Sequence, residues 1–455
     1  MHPDLRVTYQ RGIYLYAKSL MAAVATFEPN YRLLTDALST GDDHADVMGL
    51  IQDIEHPRKM KIRALQMLPR YLAMMRARAV RVGLWDVPDA VELEDRSAFL
   101  NTAGGLVNVE MVYEVIRLAS SKPFVPPVQV DFLRRQGSDL VLTTAPCAIQ
   151  SRTGAVRIMQ TVHDMFLYDV PVSNSNGHKF RRKIEACVKH ADMVLAMSAY
   201  TRDVILQHHP EAGPRIRVLH QPIPADEPTI ARSAQDGLQA EVLRRWGLRP
   251  KQFILYVGAV EERKNVARLI RAHQQSRHAS RLTLVIAGMA EPGYLAQHGL
   301  VTVKDASGLE RIPGDGESVS DVLLLGRISE IDKLVLLRCA ALFAFPTLVE
   351  GFGIPVLEAQ SFGCPVLASA GSTMPEVLGD SAMLVEQIED VRALGVALDE
   401  LVSQPSRLKQ LSQSGLSNSA RFSKATFAES LGALVAECRE QAPRTSPRHS
   451  LAPAK

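Results

Sequence analysis

The chain has 455 residues and a formal net charge of +3, from 52 Lys and Arg against 49 Asp and Glu. With 46% hydrophobic and 22% charged residues it has the make-up of a packed globular protein. That excludes wholesale disorder, a collagen and a disulfide-rich minidomain, and the even charge balance argues against nucleic acid as a partner. The five cysteines (Cys147, Cys187, Cys339, Cys364 and Cys438) form no CxxC or metal-like spacing and read as small buried thiols in a reducing compartment. No apolar stretch approaches the roughly 20 residues that span a bilayer. The opening residues lack the apolar core of a signal peptide. The expectation is a cytoplasmic chain.

Taken in chain order, a helical pattern covers residues 12–25 after a short apolar piece, LRVT. Residues 57–85 hold Arg58, Lys59, Lys61, Arg63, Arg70, Arg76, Arg78 and Arg81 and no Asp or Glu, with Leu65, Leu68, Leu72, Met75 and Ala79 as an apolar stripe. A basic amphipathic helix of this kind, from Arg58 to Arg81, can lie on an anionic membrane surface, which would place the chain peripherally on the inner face of the membrane. The plainer reading is a surface helix with a solvated basic side, interrupted by Pro69. Strands are expected at 140–142, 156–162, 193–197 and 216–219, with helices at 178–189 and 200–207. A proline-punctuated linker follows at 221–228, then a short helix at about 238–246.

The second half is more regular. Apolar runs at 253–257, 282–287, 322–325, 341–345, 365–368 and 382–385 alternate with helical patterns. Runs without polar alternation suggest strands buried on both faces, hence a parallel sheet. Val266, Leu269, Ile270 and His273 follow the helical stripe between the first two. The fold class is therefore α/β, with two Rossmann-like doubly wound domains that would face each other across a cleft. The expected division is an N-terminal domain over 1–228, a C-terminal domain over 245–424, a helix over 425–440 packing back toward the first domain, and a disordered tail over 441–455.

Ligands of open α/β sheets bind where strands end at their carboxyl side, so the loops there carry the candidate chemistry. Glu350-Gly-Phe-Gly-Ile-Pro-Val-Leu-Glu358 follows the strand LFAFP. Gly351 and Gly353 permit tight turns, and Pro355 suits a first helical turn. Backbone N–H groups around Gly353 to Val356 would then form an anion site at a helix start. Glu350 and Glu358 would repel a phosphate, so they are expected to accept hydrogen bonds from sugar or ribose hydroxyls. A second loop, Tyr256-Val-Gly-Ala-Val-Glu-Glu-Arg-Lys-Asn265, turns at Gly258 and brings Arg263 and Lys264 to a helix start. The helix dipole disfavours cations there, so the pair reads as a clamp for a diphosphate. Thr161-Val-His-Asp164 places His163 at the end of another strand; alone, it reads equally as a structural histidine.

With these residues in place, 253–385 resembles the donor domain of retaining glycosyltransferases of the GT-B fold, a large bacterial family of mannosyl-, glucosyl- and rhamnosyltransferases. The matching pieces are YVGAVEERKN, LGRIS, the Glu-x7-Glu block FPTLVEGFGIPVLEA, GCPVLAS and MPEVLGDSAMLV; VHD and ADMVLAMS resemble the family's N-terminal domain. The resemblance implies that His163, Glu350, Arg263 and Lys264 are catalytic. It implies a donor-binding set of Gly12, Gly258, Arg263, Lys264, Arg327, Ile328, Phe352, Gly353, Ile354, Val356, Leu357 and Glu358. Within it, Arg263 and Lys264 grip the diphosphate, Glu358 takes the ribose, Glu350 the donor sugar, and Gly326, Arg327 and Ile328 the nucleobase.

The implied activity is metal-independent, retaining transfer of a hexose, mannose or rhamnose first, in cell-surface polysaccharide assembly. The partners are a nucleotide diphosphate sugar (a GDP-sugar first, a UDP-sugar second) and a glycan or lipid-linked glycan acceptor. No cofactor and no bound metal are expected. A nucleotide-sugar epimerase of the same architecture and a non-catalytic nucleotide-sugar binder are the alternatives. One departure stands out: the family opens with a complete buried strand and a glycine-rich loop, whereas here only LRVT precedes Arg11-Gly12, and Tyr14 stands where a second glycine is common.

Overall fold

The computed structural model describes residues 12–35, 82–85, 103–109, 112–122, 125–169, 175–224, 227–314 and 321–441. The segment LRVT, the basic stretch 58–81 and the tail beyond residue 441 lie outside them. The chain divides into two compact units, Met1–Pro222 with Lys424–Lys455, and Ile223–Ser423.

The second unit contains an eight-stranded sheet. Its strands are β10 (Phe253–Val257), β11 (Thr283–Ala287), β12 (Val303–Lys304), β13 (Glu310–Pro313), β14 (Asp321–Gly326), β15 (Leu342–Phe345), β16 (Val366–Ser369) and β17 (Met383–Val385), in the order β12-β13-β14-β11-β10-β15-β16-β17. From β14 to β17 every pairing is parallel. FILYV, TLVIA, LFAF and VLAS are buried almost throughout, which is why they lack polar alternation. The pairings β12–β13 and β13–β14 are antiparallel. They were not legible in the sequence, because Val303 and Lys304 are both exposed and β13 buries only Ile312.

The helices of this unit include α5 (Asp236–Arg245), α6 (Val266–Gln275), α7 (Glu330–Cys339), α8 (Ile354–Ser361), α9 (Val391–Ser403) and α10 (Pro405–Ser419). The stripe of α6, Val266, Leu269, Ile270 and His273, is buried. Burial holds the His273 imidazole below its ordinary pKa, and its Nε2 lies 2.8 Å from the Leu282 carbonyl.

The first unit is built from smaller sheets. Helix α1 (Gly12–Phe27) precedes β1 (Leu33–Thr35), β2 (Val82–Trp85) and β3 (Leu106–Val109), which form a sheet of order β1-β3-β2. Helix α2 (Val112–Ser121) leads to β4 (Val128–Gln129), paired in parallel with β6 (Ile149–Gln150). The parallel sheet expected from the sequence is β5-β7-β8-β9, made by β5 (Leu140–Thr143), β7 (Arg157–Val162), β8 (Met193–Ala196) and β9 (Ile216–Val218). Helices α3 (Ser175–His190) and α4 (Ala199–His208) connect its later strands.

The last described helix, Lys424–Glu440, packs on α1. Its Arg439 bonds Glu28 at 2.9 Å and Asp139 at 3.0 Å, and its Glu437 receives Arg217 at 3.0 Å. All five cysteines are buried free thiols. No helix among the described residues is long and apolar enough to cross a membrane.

Candidate active site

In the second unit β10 and β15 are neighbours, with Ile254 beside Leu342 and Leu255 beside Phe343. The loops that follow them therefore emerge side by side. After β10, Gly258 adopts φ 154°, and a Cβ there would stand 2.8 Å from the Tyr256 hydroxyl, which donates to the Ala259 carbonyl at 2.7 Å. Burial pushes that phenol well above its ordinary pKa, so it stays a neutral donor. The next loop approaches closely as well: a Cβ on Gly288 would lie 1.7 Å from the Gly258 carbonyl oxygen. A glycine is required there by space alone.

The chain then makes a short 3-10 turn, Glu262–Lys264, and passes through Asn265 at φ 60° into α6. Asn tolerates this left-handed conformation better than most residues. Its buried amide Nδ2 fixes the turn by donating to the Ile388 carbonyl at 2.9 Å. Arg263 and Lys264 thus precede the helix rather than sit in its first turn. The loop after β15 is tied to them, since Leu348 N–H donates to the Arg263 carbonyl at 2.8 Å and Thr347 Oγ1 to the same oxygen at 3.2 Å.

These backbone ties bring three charges together. Lys264 Nζ lies 2.8 and 2.6 Å from the two Glu350 oxygens, and Arg263 Nη1 lies 3.1 Å from Glu350 Oε2. Arg263 Nη2 also meets Glu261 at 2.7 Å. Lys264 further stands 5.1 Å over the Phe345 ring, a cation–π contact. The two cations expected to grip an anion are therefore already neutralised by two carboxylates of the chain itself.

The glycine block behaves as its residue types require. Gly353 has φ 98° and caps α8, with Pro355 in the first turn. Phe352 is buried edge-on against Phe422, ring centres 5.6 Å apart. The side chains of Val356 and Leu357 are wholly buried, so they face the core. The Val356 N–H bonds the Gly353 carbonyl at 3.2 Å. Ile354 and Pro355, in the same turn, are half-buried.

Glu358 is also buried, and its Oε1 accepts from Lys333 of α7 at 2.7 Å. Burial raises the pKa of Glu358 and is only partly offset by Lys333. Burial also opposes the Lys333 charge, but Glu358 and Glu330 outweigh it and raise that group. Gly326, at φ 60°, turns the chain after β14, leaving Arg327 exposed and Ile328 half-buried.

Several participants carried no sequence signal strong enough to be singled out. Lys333 is one. Ser372 and Thr373 are two more, in the AGST loop after β16. Ser372 takes φ 52° and its Oγ accepts from Glu350 N–H at 3.1 Å; Thr373 Oγ1 donates to the Phe352 carbonyl at 3.0 Å. Their position after a strand's carboxyl end was the available clue.

In the first unit, His163 follows β7. Its Nε2 lies 2.7 Å from the Thr144 carbonyl, and its ring meets Tyr16 edge-on at 4.8 Å. The buried Tyr16 hydroxyl is 3.1 Å from Thr161 Oγ1. Gly12 is the first residue of α1. No cluster of three or more His, Cys, Asp or Glu suited to a metal occurs among the described residues.

Comparison with known proteins places this geometry. The model for glycosyl transferases group 1 matches residues 241–417, and that for glycosyltransferase family 4 matches residues 75–227. The O-antigen chain mannosyltransferase B of Escherichia coli is 24% identical over 269 residues, which are 59% of this chain and 67% of that protein. The serotype-specific mannosyltransferase WbdA of Escherichia coli is 26% identical over 56% of this chain, but the match spans only 30% of WbdA. Among solved structures, Anabaena HepE in complex with UDP-glucose superposes with a TM-score of 0.57 at 14% identity, covering 94% of this chain and 97% of HepE. WaaG, a glycosyltransferase involved in lipopolysaccharide biosynthesis, gives 0.51 at 15% identity, covering 77% and 88%. With both domain models matched in order over most of its length and the fold shared with these structures, the chain belongs to the GT-B glycosyltransferases.

Proposed function

We propose that the chain is a retaining hexosyltransferase that moves mannose, or failing that rhamnose, from a nucleotide diphosphate sugar to a glycan or lipid-linked glycan of a cell-surface polysaccharide. The observation that carries the reading is the convergence of Arg263, Lys264 and Glu350 beside the Gly353 turn. The mannosyltransferase relatives support mannose, and with it a GDP-sugar; the UDP-glucose bound by HepE makes a UDP-sugar the second choice.

The chemistry follows from the charges. A donor diphosphate outcompetes one carboxylate for Arg263 and Lys264, because it brings more negative charge and matches the guanidinium fork. Glu350, released from the cations, accepts hydrogen bonds from the sugar hydroxyls. As the glycosidic C–O bond breaks, negative charge grows on the departing diphosphate. The cations and the backbone N–H groups of the Gly353 turn stabilise it in place. The acceptor hydroxyl attacks from the same face and passes its proton to the leaving phosphate, so the anomeric configuration is kept and no protein nucleophile is required. Glu358 with Lys333 holds the ribose end, and His163 is the candidate residue of the first unit.

The test is nucleotide diphosphate release from GDP-mannose, UDP-glucose and dTDP-rhamnose, without and with a mannan acceptor. Faster release from one donor, increased by acceptor and giving a product with that donor's anomeric configuration, is expected. Release no faster than that of Lys264→Ala with every donor would remove the reading.

A further inference from the structure

Glu350 is held at two places. Its carboxylate rests on Lys264 and Arg263, from the loop after β10. Its backbone N–H donates to Ser372 Oγ at 3.1 Å, from the loop after β16. β15 and β16 are parallel neighbours, with Phe345 beside Ala368, so the loops that follow them emerge together. They run in contact: a Cβ on Gly371 would lie 3.7 Å from the Leu348 carbonyl oxygen.

Ser372 makes its bond from a strained backbone, at φ 52°. A side chain is crowded in this conformation, which glycine takes freely. Among the described residues, three besides glycine have positive φ: Lys251, Asn265 and Ser372. Asn265 directly follows Lys264, and Ser372 bonds Glu350, so two of the three border the cluster of Arg263, Lys264 and Glu350. Strained residues persist where their surroundings over-determine them, and they gather at functional sites. Here the surroundings act from both sides. Ala370 N–H donates to the Val385 carbonyl at 3.0 Å, and Met374 N–H to the Gly371 carbonyl at 3.3 Å. The buried Thr373 donates its hydroxyl to the Phe352 carbonyl at 3.0 Å. Ser372 itself is only half-buried, so filling the core does not account for a side chain at this position. What serine has and glycine lacks is the oxygen on the Glu350 N–H.

We infer, on the transferase reading of this site, that Ser372 is the positioning residue of Glu350 and fixes its backbone while the carboxylate changes partners. A diphosphate that takes Arg263 and Lys264 frees the carboxylate and removes one of the two ties. The Ser372 bond is made to the backbone and survives that exchange. The carboxylate then turns toward the sugar about its own side-chain bonds, from a fixed Cα. Without the bond the loop carries Glu350 with it, and a misplacement of about 1 Å costs up to ~100-fold in rate.

The test compares the full chain with its Ser372→Gly and Ser372→Asn variants. Glycine removes the acceptor but also relieves the strained φ, so the melting transition should stay near the parent's. Asparagine keeps an acceptor oxygen and tolerates positive φ. Hydrogen exchange at the Glu350 amide reads the bond directly. Ser372→Gly should speed it by about tenfold or more, and Ser372→Asn should return it toward the parent's rate. Nucleotide release is measured with the fastest of GDP-mannose, UDP-glucose and dTDP-rhamnose. In Ser372→Gly kcat should fall by about tenfold or more while KM for the donor stays within about threefold, and Ser372→Asn should recover most of kcat. The inference is overturned if Ser372→Gly speeds the Glu350 amide yet keeps kcat within about twofold, or if it leaves that amide as protected as in the parent. It is also overturned if Ser372→Asn restores the amide and not kcat. A parent chain that releases nucleotide no faster than Lys264→Ala removes the transferase reading and this role with it, an outcome distinct from the others because the parent itself is inactive.

Discussion

Glu350 lays both carboxylate oxygens on the ammonium of Lys264, at 2.8 and 2.6 Å, and shares one of them with Arg263. At the proposed site the two cations are thus held by an internal anion. A diphosphate must displace that anion to be held, and the displaced group is the one the proposed mechanism turns toward the sugar.

Neutralising Glu350 should therefore separate binding from turnover. Glu350→Gln keeps the shape and removes the competing charge. GDP or UDP, whichever the chain prefers, should bind more tightly by on the order of tenfold, while transfer falls by at least about a hundredfold. Titration calorimetry and a release assay measure the two arms. Weaker nucleotide binding in this variant would show that Glu350 supports the anion site rather than occupying it.

The two cations should act together and differ in structural cost. Arg263→Ala and Lys264→Ala should each reduce transfer by about 100- to 1000-fold. Arg263 is about a third exposed, with 30% of its side-chain surface open, so its loss should change stability by about 1 kcal/mol or less. Lys264 is 8% exposed, and its removal leaves a half-buried carboxylate short of a partner, so that variant should melt lower. Near-normal kinetics in both would end the clamp assignment.

Glu358→Gln should destabilise the second unit by about 1–3 kcal/mol, because it removes one of the two carboxylates that balance the Lys333 ammonium and leaves only Glu330, at 2.9 Å. Adding Lys333→Met should restore much of the loss. Denaturant melts of the two variants decide this; equal stability of both would mean that the pair is held open to water.

Asp399 accepts from the N–H groups of Arg277, His278 and Ala279 at 2.9, 2.8 and 3.0 Å, and from the Ser276 hydroxyl. Burial opposes ionisation, but these four donors win and lower its pKa from 3.8 to about 2. A depressed acid contributes stability that is complete above its unfolded pKa and lost as pH falls through the folded one. The second unit should lose part of its stability between pH ~4 and ~2, and Asp399→Asn should flatten that part of the profile. An unchanged slope would assign the acid sensitivity elsewhere.

Two glycines should differ in how far they resist a methyl group. In Gly288→Ala the clash is with the Gly258 carbonyl, which is backbone and cannot step aside. In Gly353→Ala the nearest atom, at 2.4 Å, is the tip of Met374, which can turn away, leaving mainly the cost of φ 98°. Gly288→Ala should lose more than about 3 kcal/mol and Gly353→Ala about 1–2. Comparable melting of the two would refute the ranking.

Much of the second unit was legible along the chain. Strands buried on both faces must be continuously apolar, so FILYV, TLVIA and LFAF declared themselves locally, within a residue or so of their ends. The candidate site residues could be singled out for a related reason, since a glycine, a proline and an unusual charge at a strand's carboxyl end each contradict what packing alone would select. The antiparallel pair β12–β13 was not, because strands that bury little carry no hydrophobic period.

What the sequence determined by itself was therefore the class of fold, the loops of interest and the residue types in them. What only the tertiary structure decided was who meets whom. Arg263 and Glu350 stand 87 positions apart and meet because β10 and β15 are neighbours, a pairing set by how the whole sheet assembles and not by either strand. Lys333 reaches Glu358 for the same reason, from a helix 25 positions away.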